Sequence, residues 1–217
     1  MTDTPTPTGD PAPHRVYDRI AAHFSETRAH PWPDVADFIE TRTGTRGLDL
    51  GCGNGRHAEL LAESCDTAVG VDASIGLLAE ARARAVENGY DDALGLVRGD
   101  AQRIPLCDDT VDLAVYVATL HHLPSRSARV DSLDDLARVL APDGEALISV
   151  WSTTHDRFDP ETGFDTTVEW TLPGGDTEDR FYHIYDPAEF RTDLDDSDLD
   201  VVEVYESRGN AYAVVAS

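Results

Sequence analysis

From His14 onward apolar residues recur at four-residue spacing, at Val16, Ile20 and Phe24, which predicts an amphipathic helix. Pro31 and Pro33 then bracket Trp32 and fix an extended turn, because proline locks its own φ and biases the preceding residue away from the helix. A second helix is expected from Asp34 to Thr41. Beyond it, short apolar runs alternate with helical patterns. The runs Leu48–Leu50, Ala68–Asp72, Leu94–Val97, Val111–Val117 and Glu145–Trp151 predict strands. Helices are predicted between them at Gly55–Ser64, Ser74–Asn88 and Ser125–Leu140, with Ser74 as an N-cap and Gly89 just past a C-terminus. Val201–Glu206 and Ala211–Ala216 predict two closing strands. Such alternation builds an α/β domain on a mostly parallel sheet. Ser152 to Tyr185, about 34 residues of little periodicity, is expected to be a functional loop, since unstructured connections of that length are rare in compact domains. Residues 1–13 are too polar and proline-rich to fold and predict a disordered tail.

The chemistry gathers at one edge of that sheet. After Leu50 the chain turns through Gly51-Cys52-Gly53-Asn54-Gly55 into a helix, and glycines let backbone lie against a ligand where any Cβ would collide. The spacing is not the Gly-x-Gly-x-x-Gly that seats a pyrophosphate on a helix N-terminus. Asp72 ends the second strand and Asp100 follows the third, placing two acids beside the glycine turn at the carboxyl edge, where open α/β sheets bind ligands. Taken singly, Asp72 also suits a helix N-cap and Asp100 a turn. The ordered set predicts a nucleoside site. His121 and His122 follow the fourth strand, where a second substrate would meet that nucleoside.

Composition changes the picture of partners. The 217 residues carry 42 acids against 17 cations, every one of them arginine, for a formal charge of −25. Lysine is absent, and 29 of the acids are Asp. This surface predicts a halophilic protein, stable where molar salt shrinks the Debye length to ~3 Å. At that salt phosphate attraction is largely screened, so acidity does not exclude RNA, although no basic face announces one. Three cysteines without metal-ligand spacing predict a reduced, cytoplasmic setting and no metal site. The chain shows no signal peptide and no apolar stretch of membrane-spanning length, so no membrane partner is expected.

In the glycine turn, Asp72 and Asp100 the chain resembles the class I S-adenosylmethionine-dependent methyltransferases. That resemblance implies a Rossmann-like, mixed seven-stranded sheet, mostly parallel, with helices on both faces and an N-terminal helical cap. It implies a single domain over 14–217, made of a cap at 14–45, a cofactor half at 46–151, a substrate loop at 152–186 and C-terminal strands at 187–217. S-adenosylmethionine would lie against Asp49, Gly51, Cys52, Gly53, Gly55, Asp72, Ala73, Asp100 and Ala101, leaving S-adenosylhomocysteine as product. Four stretches narrow the resemblance: Tyr17-Asp18-x-Ile20-Ala21-x-His23-Phe24-Ser25-x-Thr27-Arg28 with Pro31-Trp32-Pro33, Leu48–Arg56, Ala118–Leu123, and Arg180–Tyr185. Together they are similar to the tRNA wobble-uridine carboxymethyl methyltransferases, found in yeast and fused to an AlkB-type hydroxylase in animals. The similarity implies esterification of the carboxylate of 5-carboxymethyluridine, tRNA rather than DNA as partner, and a small zinc-binding activator subunit.

A carboxylate is ionised at neutral pH and needs no strong base to attack a sulfonium methyl; it needs alignment and loss of water. Arginine grips a carboxylate through paired hydrogen bonds. Arg28 and Arg180 are the candidate clamps, with His121, His122, Tyr182 and His183 orienting the base and Trp32 offering a stacking face. Two rival readings stand beside this one: a methyltransferase for a small acid, phenol or amine, and a nucleoside-binding module without catalysis.

Overall fold

The structure is a computed structural model that describes residues 13–217. The tail expected at 1–13 lies outside the described residues, except that Pro13 opens the first helix. Helices α1 (Pro13–Thr27) and α2 (Pro33–Glu40) precede β1 (Gly44–Leu50), α3 (Ala58–Ser64), β2 (Cys65–Asp72), α4 (Ile75–Asn88), β3 (Leu94–Arg98) and β4 (Val111–Val117). A 3-10 turn at Leu120–His122 leads to α5 (Arg126–Val139), β5 (Leu140–Trp151), β6 (Phe164–Thr171), β7 (Thr177–Ile184), α6 (Pro187–Asp195), β8 (Asp200–Ser207) and β9 (Asn210–Ala216).

Seven strands form one sheet in the order β3-β2-β1-β4-β5-β9-β8. The first five are parallel, and β9 and β8 run antiparallel to their neighbours. The alternation of side chains along each strand sorts the core into two layers. Ala114, Tyr116, Ile148, Val150 and Ala213 face Leu133, Leu136, Phe190 and Leu194 of α5 and α6. Leu113, Val115, Val117, Leu147 and Val214 face Val35, Phe38, Ala58, Leu61 and Ala85 of α2, α3 and α4. The mixed seven-stranded sheet with helices on both faces is therefore present.

One expectation fails. Ser152–Tyr185 is not a loop: β6 and β7 pair antiparallel as a separate hairpin, in register from Phe164 opposite Ile184 to Thr171 opposite Thr177. Its period is hidden because one face buries Val168, Trp170, Tyr182 and Ile184, while Asp165, Thr167, Glu169 and Asp179 face water across it. The stretch 187–217 opens with α6, N-capped by the Asp186 carboxylate, before its strands.

Strand order reverses between β1 and β4, and that switch point opens the crevice of an α/β sheet. The backbone there is tight. Gly51 adopts φ 72°, and a Cβ on it would overlap the Thr119 side chain. On the other wall Ala118 holds φ 53°, a left-handed value that costs a non-glycine residue about 1 kcal/mol. Its N–H reaches the Ser149 carbonyl at 3.0 Å, so the bend is tied to β5. We predict that Gly51→Ala lowers stability by about 2–4 kcal/mol through strain and overlap together, measured by denaturant unfolding.

Candidate active site

The glycine turn spends its N–H groups inside the protein. Gly51 and Cys52 both donate to the Val71 carbonyl, at 2.7 and 3.0 Å, and Gly55 donates to Cys52. Gly53 donates to Asp72 Oδ2 at 2.9 Å, while Ser74 N–H takes Asp72 Oδ1 at 2.8 Å. With those donors used, the turn offers no phosphate cradle but a flat backbone wall beside a carboxylate. Ser74, not Asp72, caps α4 by accepting the Leu77 N–H; Asp72 is held on the cavity wall by the two backbone donors, and burial raises its pKa. Asp100 lines the same cavity and receives the Gln102 N–H at 3.0 Å. Gly51, Cys52, Gly53, Ala73 and Ala101 complete this side. The cavity encloses ≈ 610 Å³, within the size range of ligand sites, and its chemistry fits a nucleoside cofactor rather than a nucleotide.

Two of the expected cofactor residues stand behind that wall. Gly55, at φ 77°, packs on Ala81 of α4. Asp49 is buried, with Oδ2 unpartnered, and burial raises its pKa to about 7, against the pull of Arg56. Cys52 is buried beside Asp49 and Asp72; burial and those charges push its thiol up, leaving it inert.

His121 and His122 hold opposite tautomers. The Trp151 N–H donates to His121 Nδ1 at 3.0 Å, so that nitrogen carries the lone pair and Nε2 carries the proton. That Nε2 is buried without a partner. His122 Nδ1 lies 2.8 Å from the Phe181 carbonyl and must donate to it, which makes its Nε2 the acceptor for the Tyr17 hydroxyl at 2.9 Å. Burial lowers both pKa values, that of His122 to about 4. Both rings are neutral at pH 7.

The hairpin closes the cavity from above. Tyr182 packs against His121, His122 and Trp151, with ring centroids at 5.0, 4.4 and 5.2 Å. Its hydroxyl accepts from Arg180 Nη1 at 2.6 Å. Arg180 and Arg28 both sit over the Trp170 ring, at 4.8 and 5.3 Å, so α1 and β7 bring the two guanidiniums together. Asn54 of the glycine turn anchors that end of α1 by donating to the Arg28 carbonyl at 3.0 Å. Trp32 also lines the cavity, and Arg56 lies over its ring at 5.4 Å.

His183 does not join them. It points to the far side of β7, held by Asp165 at 2.7 Å and Glu189 at 2.9 Å, because neighbouring residues of a strand face opposite ways. Sequence reasoning gave no role to Arg56, His57, Trp151, His155, Arg208 or Asn210, all of which line the cavity. Arg56 stood within a recognised stretch and His57 follows it at the start of α3; Trp151, His155, Arg208 and Asn210 arrive through the antiparallel pairing of β5 with β9, which no local pattern reports.

Charge is sorted at this site. Its wall carries Arg28, Arg56, Arg180 and Arg208 with five histidines, against two carboxylates, Asp72 and Asp100. Among the described residues the ion-paired arginines are Arg19, Arg42, Arg84, Arg126, Arg129, Arg138 and Arg191, none of them on that wall. Arg15, Arg46, Arg82, Arg98, Arg103 and Arg157 have no ion pair among the described residues either, so what distinguishes the cavity four is their convergence on one wall, which in a chain of net charge −25 favours an anion there.

Below an unfolded pKa of about 6.5, the unfolded chain binds a proton at His122 that the folded chain refuses until about pH 4. Stability present above pH 6.5 is therefore lost as pH falls through that window. We predict that His122→Gln flattens this fall by about 1–3 kcal/mol, read by denaturant unfolding at pH 7 and pH 4.5.

Comparison with known proteins agrees with this geometry. A family model described as "Methyltransferase domain" matches residues 48–148. The tRNA (carboxymethyluridine(34)-5-O)-methyltransferase of Saccharomyces cerevisiae is 34% identical over 167 residues, covering 74% of this chain and 56% of that protein. The chain thus spans about half the length of that relative, and 33% of its Arabidopsis thaliana counterpart. A protein of Encephalitozoon cuniculi named as a methyltransferase is 35% identical over 180 residues, with 79% of each chain covered. Among solved structures, a complex between the Haloferax volcanii Trm112 methyltransferase activator and a methyltransferase aligns with TM-score 0.69 at 18% identity, over 94% of this chain and 95% of that one, and so shares the fold. By fold, by family model and by a relative matched over most of its length, this chain belongs to the class I S-adenosylmethionine-dependent methyltransferases.

Proposed function

We propose that this chain transfers a methyl group from S-adenosylmethionine to the carboxylate of 5-carboxymethyluridine at the tRNA wobble position. One observation carries the reading. The cavity offers two buried N–H donors without an acceptor, His121 Nε2 and Arg180 Nε, on rings and side chains packed around Tyr182. Unpaired buried donors are costly, and a substrate carboxylate would satisfy both at once. The printed name of the yeast relative supports the same acceptor.

Gly51, Gly53, Asp72 and Asp100 would hold the cofactor, which supplies an electrophilic methyl group when bound. The protein's remaining work is positional. Arg28 and Arg180 bracket the acceptor carboxylate, His121 donates to one of its oxygens, and Tyr182 and Trp151 exclude water. His122 takes no proton from substrate, since Tyr17 and Phe181 use both of its nitrogens. A small-molecule acid would meet the same donors, but the similarity to tRNA-modifying relatives favours the nucleoside.

An activator subunit of the Trm112 kind is part of the proposal. Its support is the Haloferax complex together with the two open sheet edges, β3 and β8. The absence of lysine supports a halophilic setting, and the lack of disulfides among the described residues a reducing one.

Arg180→Ala should lower kcat/KM on a 5-carboxymethyluridine stem-loop by roughly 10–150-fold, the worth of about 1.5–3 kcal/mol of charged hydrogen bonds. Arg28→Ala should act in the same direction, with Kd for S-adenosylmethionine nearly unchanged in both. Equal loss of cofactor affinity would remove the assignment of that arginine. In an Asp49→Asn background, which removes the buried carboxyl that titrates near 7 behind the cofactor wall, the rate should also be flat between pH 6 and 8, because neither the acceptor nor the neutral His121–His122 pair titrates there. A limb rising through pH 7–8 would indicate a phenol or amine acceptor instead.

A further inference from the structure

A second cationic wall faces the mouth of the cavity from β5 and the β8–β9 turn, and the proposed chemistry at the carboxylate does not use it. Arg208 and Gly209 form that turn, with φ 52° and 76°. Glycine is needed at 209, because a Cβ there would overlap the His155 ring. Arginine at 208 is another matter, since it occupies a left-handed conformation that asparagine or glycine would adopt at lower cost. The turn is pinned where it stands. Ser152 donates to the Gly209 carbonyl at 3.1 Å, and the Asn210 side chain donates to the Arg208 carbonyl at 3.3 Å. A strained, fixed backbone thus presents a guanidinium that lines the cavity and has no acid partner among the described residues.

His155 completes the patch. The Arg157 N–H donates to His155 Nδ1 at 3.0 Å, so the proton sits on Nε2, and the ring is propped against Trp151 at 5.6 Å. Arg208 and His155 therefore offer N–H donors at the rim, while the Asn210 side chain, also on the cavity wall, holds the turn. Among the described residues that line the cavity the carboxylates are Asp72 and Asp100, which lie at the ends of β2 and β3, across the crevice.

We propose that Arg208 and His155 form a phosphate subsite that grips the RNA backbone next to the methylated nucleoside. The inference rests on the nucleic-acid reading above and deepens it. A free nucleoside would fill the inner donors but leave these outer ones unmet; a strand would bring a phosphate to them. In an acidic chain, such a local contact supplies the register that a general basic surface supplies elsewhere.

The test is Arg208→Gly, which removes the cation while relieving the backbone. Melting temperature should stay equal or rise, so any functional loss is not unfolding. Affinity for an anticodon stem-loop should fall about tenfold, and the slope of log affinity against log salt should become shallower by ~0.7, as expected for one lost single-strand phosphate contact. Methyl transfer to the stem-loop should fall about tenfold more than transfer to the free nucleoside. His155→Ala should shift the same ratio in the same direction. An unchanged salt slope, or an equal fall on stem-loop and nucleoside, overturns the subsite while leaving the RNA reading intact. If the unsubstituted chain, with its activator, labels no RNA, that reading falls and the subsite with it.

Discussion

The close approach of two backbones at the strand-order switch governs the site. Gly51 after β1 lies against Thr119 after β4, where no side chain could fit, and Thr119 Oγ1 reaches back to the Gly51 carbonyl at 3.4 Å. That contact fixes the depth of the crevice. On one side it leaves a glycine wall whose donors are spent internally. On the other it sets the strained bend at Ala118 that delivers His121 and His122. The two surfaces proposed for cofactor and substrate are thus two consequences of one steric constraint.

Electrostatics then divides the molecule. Acids cover the exterior, and several arginines outside the cavity pair with them, as Arg19 does with Glu178 and Arg191 with Asp195. Three of the four cavity arginines, Arg28, Arg56 and Arg180, stay without an ion pair and stack on Trp170, Trp32 and Tyr182 instead. Aromatic faces stabilise a cation without neutralising it, so the charge remains available to an anionic ligand. The hairpin that carries Arg180 is joined to α1 through Arg19–Glu178 and through Trp170 Nε1–H donating to His23 at 3.1 Å. Closing the cavity and assembling its cations are the same act of packing.

The parallel half of the sheet was legible in sequence because each strand and helix there carries its own period, and Asp72 and Asp100 follow strand ends directly. The hairpin was not. Its buried positions Val168 and Trp170 alternate with acids and threonines that read as loop composition, and they acquire a partner only through α1. His183 was misplaced for a related reason: a motif of consecutive residues names a strand, while the strand sends each neighbour to a different face. Arg208 and His155 escaped because their proximity depends on β9 running antiparallel beside β5, a pairing of distant residues. What sequence conveys well is local chemistry; what it conceals is which distant turns share a wall.

The most direct test of the central claim is transfer of labelled methyl from S-adenosylmethionine to total tRNA in molar salt, with and without the proposed Trm112-type activator. The account predicts label in tRNA that mild alkali removes, as a methyl ester requires. Alkali-stable label, or label confined to small metabolites, would contradict it.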